Sequence, residues 1–337
     1  MNPTLDSLPI LILYPHNRCN CRCLMCDIWK TTSTRELTLA DLARHAADFA
    51  TLRLEWVVFS GGEPLMHSDL APLCRFFRDR GIRVTVLTTG LLLARHAAMV
   101  AEQIDDVIVS LDGPASIHDR IRRVPGAYSS LAAGVEALHR LRPALPISAR
   151  CTVQHHNCRH LRLTTAAARS LGLASISFLA ADTHSTAFDH LNGWEPATRT
   201  EVALTLEDLE ALESEIEALI AAWPASPFLR ESPAKLRAIA DHFRADLSLA
   251  PPTAPRCNAP WVSAVLESSG ALRPCFFHPP FGNTTHSTFL EVLNSPEAVR
   301  FRATLDIPTN PICRRCVCSL YRPTPVTTLQ NAGDAVA

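Results

Sequence analysis

Six short aliphatic runs recur along the first half of the chain, with helix-patterned stretches between them, and this alternation limits the fold most. The runs are Ile10–Tyr14, Trp56–Ser60, Arg83–Thr88, Val107–Leu111, Ile147–Val153 and Ser175–Leu179. They are rich in β-branched and aliphatic residues, as strands buried on both faces are. Helical patterns fit Leu39–Leu52, Asp69–Arg80, Leu92–Gln103, Tyr128–Leu141 and His160–Leu171. Thr38 caps the first, with Asp41 three residues on. Strand and helix in repetition predict an α/β fold, a parallel sheet with helices outside, whose ligands bind at the carboxyl ends of the strands.

The chain has 337 residues and 12 cysteines. Cys19, Cys23 and Cys26 follow the first run directly, in C-x3-C-x2-C spacing. Three thiolates on a four-iron cubane leave one iron without a protein ligand, free to hold a substrate or cofactor. Zinc also favours thiolates, but the usual second ligand pair, roughly fifteen residues on, is missing. Cys21 adds a thiol, expected to be a bystander pointing away. Cys74, Cys151 and Cys158 read as core or helix-face thiols. No apolar run is long enough to span a bilayer, and Leu8–Tyr14 lacks the flanks of a signal peptide. So many cysteines without an export signal point to metal chemistry in a reducing, cytoplasmic setting. The net charge is -1. Pairs such as Arg122-Arg123 and Arg314-Arg315 are too short for a polyanion track, so neither nucleic acid nor membrane is an expected partner.

Gly61-Gly62-Glu63-Pro64 follows the second run, and Thr88-Thr89-Gly90 and Ser110-Leu111-Asp112-Gly113 end the next two. Alone, Gly61-Gly62 is also what a strand-to-helix turn at positive φ would use. In this order behind the cysteines, the set resembles the radical S-adenosylmethionine (SAM) enzymes. The resemblance implies a partial (β/α)6 barrel and a 4Fe-4S cluster on Cys19, Cys23 and Cys26 with SAM as cofactor. It implies Gly61, Gly62 and Glu63, with Pro64 completing the motif, at the SAM amino group. Thr89, Ser110 and Asp112 would lie near the ribose or carboxylate. Met25 stands where the family usually has an aromatic residue beside the adenine, and a thioether can fill that space. Arg150 would pair with the SAM carboxylate or, equally, form a structural salt bridge. A low-potential donor such as flavodoxin or ferredoxin is the expected redox partner.

The barrel core is expected over 1–185 and a helical extension and linker over 186–255, with helices at Leu206–Ala222 and Pro233–Arg244 before the proline-rich Ala250–Pro255. A cysteine-rich module follows at 256–322, and 323–337 reads as an unstructured tail. In the module, Trp261–Leu266 and Ala271–Pro274 read as a β-hairpin about Ser268-Ser269-Gly270. Phe289–Leu305 reads as a helix interrupted near Pro296, where Ser295 can cap a new start. Cys257, Cys275, Cys313, Cys316 and Cys318 resemble the auxiliary-cluster modules called SPASM and twitch. That likeness implies a second 4Fe-4S cluster on Cys257, Cys275, Cys313 and Cys316, with Cys318 left over or replacing Cys316. Structural zinc is the alternative.

A four-thiolate cluster suits an electron acceptor, which makes the reaction an oxidation and requires a base. Asp182 and His184, then His155 and His156, lie near the sixth and fifth strand ends, although each type is also common at surfaces. The first strand begins near Ile10 with no leader-binding domain expected before it. The expected substrate is therefore a small molecule such as a sugar, aminocyclitol or cofactor precursor. A peptide is the alternative, and a non-catalytic metal-binding or electron-carrier protein is the alternative of another class.

Overall fold

The computed structural model describes residues 1–190, 193–224 and 226–323. The expected tail lies outside the described residues from 324 on. Nine strands form one sheet in the order β6-β5-β4-β3-β2-β1-β7-β8-β9. They are β1 Ile10–Leu13, β2 Trp56–Phe59, β3 Arg83–Thr88, β4 Asp106–Ser110, β5 Ile147–Val153, β6 Ser175–Ala180, β7 Ser263–Leu266, β8 Ala271–Arg273 and β9 Gly282–Asn283. β1 to β7 pair in parallel, and the sheet does not close into a barrel. The expected hairpin is β7–β8, antiparallel. It does not stand apart as a separate sheet. β7 pairs with β1 from Ile10↔Ser263 to Leu13↔Leu266, so the cysteine-rich module extends the barrel's own sheet.

Helices cover the outer face. They are α1 Leu39–Ala43, α2 Ala46–Thr51, α3 Leu70–Arg78, α4 Ala97–Gln103, α5 Ala115–Arg122, α6 Ala127–Leu141, α7 Leu161–Ser170, α8 Pro196–Val202, α9 Leu206–Ala222, α10 Pro233–Asp246, α11 Ala259–Val262, α12 Phe289–Leu293, α13 Pro296–Thr304 and α14 Pro311–Arg314. Leu11, Leu13, Val57, Phe59, Val84, Val86, Val107 and Val109 are buried in the core. Alternate residues Ile10, Ile12, Trp56, Val58, Ile108 and Arg150 face a cavity of about 630 Å³ inside the sheet's curve. The period-2 pattern thus packs one face on helices and leaves the other lining a space.

Two expected helices differ. Leu39–Leu52 breaks at His45 into α1 and α2, because the break docks the distant α12. His45 Nδ1 accepts from Phe289 N at 3.3 Å and Asp48 Oδ2 accepts from Leu290 N at 3.0 Å. Phe289 then meets Phe49 edge-on, ring centroids 5.2 Å apart. Burying such a ring is worth roughly 1.5–3 kcal/mol. The pattern over Leu92–Gln103 becomes helical only from Ala97. The caps held: Thr38 and Asp41 form a reciprocal box, and Ser295 accepts from Ala298 N. α5 and α8 were not anticipated.

Candidate active site

The cluster-binding loop leaves β1 at its carboxyl end and is shaped by the turn after β2. Gly61 has φ +96, and a Cβ there would lie 2.8 Å from the Tyr14 ring. A Cβ on Gly62 would lie 2.0 Å from the Arg18 carbonyl oxygen, which no side chain can tolerate. Glu63 N donates to that same carbonyl at 2.8 Å. The two glycines therefore allow two backbones to touch, and one of them carries Cys19. The Glu63 carboxylate is fully buried and accepts from Leu65 N, Thr88 Oγ1, Thr89 N and Thr89 Oγ1. Burial raises its pKa against these donors. Pro64 is buried at the start of the turn Pro64–Met66. Thr89 Oγ1 also lies 3.0 Å from Asn20 Oδ1 in the loop.

Cys19 and Cys26 are half-buried and Cys23 is buried. The thiols lie close enough to oppose one another's ionisation. Burial first, and then Cys23 among other groups, pushes Cys19 up to about 12 and Cys26 well above its ordinary value. Cys23 differs, lowered to about 6 by a hydrogen bond from Cys21 and then by Arg122. Cys21 is therefore not the expected bystander. It is 1 % exposed with its thiol on Cys23, because a buried loop has few other places for it. Three thiols beside a cation have the donor chemistry of an anionic three-cysteine cluster, but among the described residues no three Cys, His, Asp or Glu side chains are already drawn together as a metal site.

Arg122 was not singled out beforehand. It ends α5, 7 % exposed, with Nη1 3.5 Å from Cys23 Sγ and Nε 2.7 Å from Asp112 Oδ2 in an ion pair. Asp112 Oδ1 accepts from Thr152 N at 3.0 Å, so this carboxylate is buried and engaged. Ser110 sits at the carboxyl end of β4, half-buried. Met25 Sδ lies 3.6 Å from Gln154 Nε2.

The second cysteine set meets the inner cavity. Cys257, Cys275, Cys313, Cys316 and Cys318 all line it, together with Arg150, Glu231, Lys235, His242 and Arg315. Burial leads in pushing Cys313 up to about 12 and Cys318 up to about 11. Cys316 is also raised, by burial and then by Cys318. Cys318 thus joins the group instead of standing apart. His278 Nε2 lies 3.4 Å from Cys313 Sγ. Arg150 is exposed to the cavity on the same side as Glu231 and Cys318, helping to moderate the pKa of each.

The expected bases have other partners. Asp182 caps its own turn through His184 N, Ser185 N and Ser185 Oγ. His184 Nδ1 is 3.3 Å from Asp246, and Nε2 is 2.8 Å from Arg199. His155 Nδ1 is 2.7 Å from Asp208, and His156 stacks edge-on against it.

A smaller polar pocket of about 210 Å³ has in its wall Tyr14, which is close enough to Cys26 and Cys318 for both thiols to act on it. It is lined by Tyr14, Asn17, Ile28, Phe188, Asp189, Glu267, Arg273 and Phe276, among others. Ile28 is two residues past Cys26, and Phe276 adjoins Cys275. Burial, then Glu267, raises the Asp189 carboxyl. Phe188 and Asp189 both hold positive φ, 58° and 65°. Such strain, about 1–2 kcal/mol per residue, concentrates at functional sites.

Residues 13–156 match the family model of the radical SAM superfamily, and residues 257–317 match the SPASM iron–sulfur cluster-binding domain. The chain therefore carries a radical SAM domain and a SPASM iron–sulfur cluster-binding domain. These domains define its cofactors: a SAM-binding 4Fe-4S cluster, an auxiliary cluster and SAM. The chain is 34% identical over 160 residues to an AdoMet-dependent heme synthase of Methanosarcina barkeri, covering 46% of this chain and 45% of that protein. It is 28% identical over 194 residues to a PqqA peptide cyclase of Ruegeria pomeroyi, covering 56% and 48%. It thus spans less than half the length of these curated relatives. Its fold is similar to that of Streptococcus suis SuiB bound to S-adenosylmethionine: TM-score 0.67, 14% identity, 94% of this chain and 74% of that one. Among the described residues, no helix is long and apolar enough to cross a membrane.

Proposed function

We propose that this chain uses SAM as a radical source to oxidise a small molecule seated in the smaller, polar pocket. The observation that supports this reading is Tyr14 in the pocket's lining, close enough to Cys26 of the first set and Cys318 of the second for both thiols to act on it. With cluster and SAM bound, the first site supplies a 5′-deoxyadenosyl radical that removes a hydrogen atom from the substrate. Cys19, Cys23 and Cys26 hold the cluster, and Gly61, Gly62 and Glu63-Pro64 shape the loop and receive the SAM amino group. Thr89 and Ser110 would border the ribose and carboxylate and Met25 would meet the adenine, while Asp112, fully buried on Arg122 and Thr152 N, supports the loop instead. Arg150 faces the inner cavity, where a SAM carboxylate and Glu231 compete for it.

Asp189 takes the proton that an alcohol or amine loses on oxidation. A carboxyl that burial raises above its ordinary value suits a general base, and neither Asp182 nor His184 has a free position in this pocket. The pocket holds two carboxylates, Asp189 and Glu267, against the Arg273 guanidinium paired with Glu267. That charge favours a neutral or amino-bearing substrate over an acid. Cys257, Cys275, Cys313 and Cys316, with Cys318 beside them, offer a centre for the remaining electron. An external low-potential donor such as flavodoxin or ferredoxin would reduce the first site. A second reading, peptide modification, is supported by the peptide cyclase, whose alignment covers 56% of this chain.

The test is iron and sulfide per chain after anaerobic reconstitution, with 5′-deoxyadenosine release assayed on the same sample. About eight irons with 5′-deoxyadenosine supports the reading. About four irons with bound zinc makes the second site structural and removes the oxidative argument. A fully loaded protein that releases none is a binding protein or electron carrier. Glu63 variants do not separate these cases, because its buried carboxylate also satisfies Thr88 and Thr89.

A further inference from the structure

We propose that Arg122 is a positioning residue for the first cluster, raising its reduction potential through a hydrogen bond to Cys23. The inference rests on the reading of Cys19, Cys23 and Cys26 as cluster ligands.

The end of α5 is joined to the loop through the backbone as well as the side chain. Arg22 N donates to Arg122 O at 3.1 Å, and Leu24 N donates to Ile121 O at 3.2 Å. These two bonds flank Cys23 and fix the arginine opposite it. Nη1 then reaches Cys23 Sγ at 3.5 Å, while Nε faces Asp112 Oδ2 at 2.7 Å. The ion pair thus presents its positive end to the sulfur and its negative end away from it. Removing an arginine from water is costly, and Asp112 offsets much of that cost. Burial lowers the guanidinium's pKa, but Asp112, Cys23 and Cys21 more than offset this, so the charge is kept.

A cluster that accepts an electron gains negative charge. Hydrogen bonds and positive charge at its sulfurs favour that reduced state, and net charge and sulfur hydrogen bonding are main determinants of iron–sulfur potentials. Reducing the first cluster is the step that an external donor must drive. Arg122 therefore makes the first cluster easier to reduce.

The experiment is EPR-monitored redox potentiometry on the reconstituted full chain without SAM. The first cluster is identified as the signal whose g values change when SAM is added to a parallel sample. Arg122→Met combined with Asp112→Asn removes both charges, so no lone buried carboxylate remains to unfold the protein. Arg122→Lys keeps the charge and loses the planar fork. The expected midpoint falls furthest in the double variant and less in Arg122→Lys, with iron content and the second signal unchanged. A midpoint equal to wild type in the double variant, at full iron loading, would overturn the proposal and leave Arg122 a strut. A wild-type protein with no SAM-responsive signal would instead overturn the cluster reading itself.

Discussion

The two cysteine sets are built differently. In the first, backbone contacts hold the loop at Gly62–Arg18, Arg22–Arg122 and Leu24–Ile121, and a buried cation sits on Cys23. In the second, all five thiols are half-buried around an open cavity, and a histidine, not an arginine, touches Cys313. One thiol of the first set is lowered to about 6, whereas Cys313, Cys316 and Cys318 are all raised. Cys19 and Cys26 of the first set are nevertheless raised by burial like the second set, so the first site is a mould for the backbone of its loop and not a ready-made set of thiolates. Both sets depend on their ligand to draw the thiols together and deprotonate them, as metals do for thiol ligands.

The strongest way to break this contrast is Gly62→Ala. A methyl 2.0 Å from the Arg18 carbonyl must displace the loop, at a cost of about 3 kcal/mol or more. The expected result is loss of the first cluster's iron and of SAM cleavage, with the second cluster's signal kept. Iron per chain and EPR check it, and undiminished iron would show that the loop is not set by that contact.

Acid should act next, on the mould's support. His118 is buried against Asp112, with Nδ1 accepting from Asp112 N at 3.2 Å. An unfolded histidine takes a proton near pH 6.5, but burial keeps His118 neutral down to about 4. Between these values the unfolded state binds more protons, so stability falls as pH falls through that window, by at most about 1.4 kcal/mol per unit. Thermal midpoints at pH 7 and pH 5 measure this. His118→Gln should flatten the dependence, and an equal drop in the variant would assign it to other groups.

The smallest expected effect is on the second set. Asn310 Oδ1 caps α14 by accepting from Ile312 N and Cys313 N, at 3.0 Å and 3.1 Å. Asn310→Ala should cost about 1 kcal/mol. It should lower the second cluster's occupancy while leaving 5′-deoxyadenosine release intact. A loss of release would mean that the sites are not independent.

The parallel strands were legible because aliphatic runs bounded by turn residues have few other uses, and the motifs at their ends marked the site's rim. What escaped was long-range or locally weak. Nothing in Ser263–Leu266 announces β1 as its neighbour, since pairing partners leave no period in a sequence. Nor does His45 announce a helix break made to receive Phe289. α5, Ala115–Arg122, is short and largely polar, so its helical pattern is faint. Ile117 and Ile121, four apart, were its available signal. Missing it hid Arg122, which paired with Arg123 looked like scattered surface charge and is instead buried on a cluster ligand. The pocket acid Asp189 was hidden for a similar reason: aspartate tolerates left-handed backbone, but the Phe188 before it gives no sign of such a turn.

The most direct test of the division of labour is 5′-deoxyadenosine release by Cys23→Ala and Cys275→Ala, reconstituted side by side with a strong reductant and SAM. The account predicts none from Cys23→Ala and near wild-type release from Cys275→Ala. Release from Cys23→Ala, or its loss from both, would contradict it.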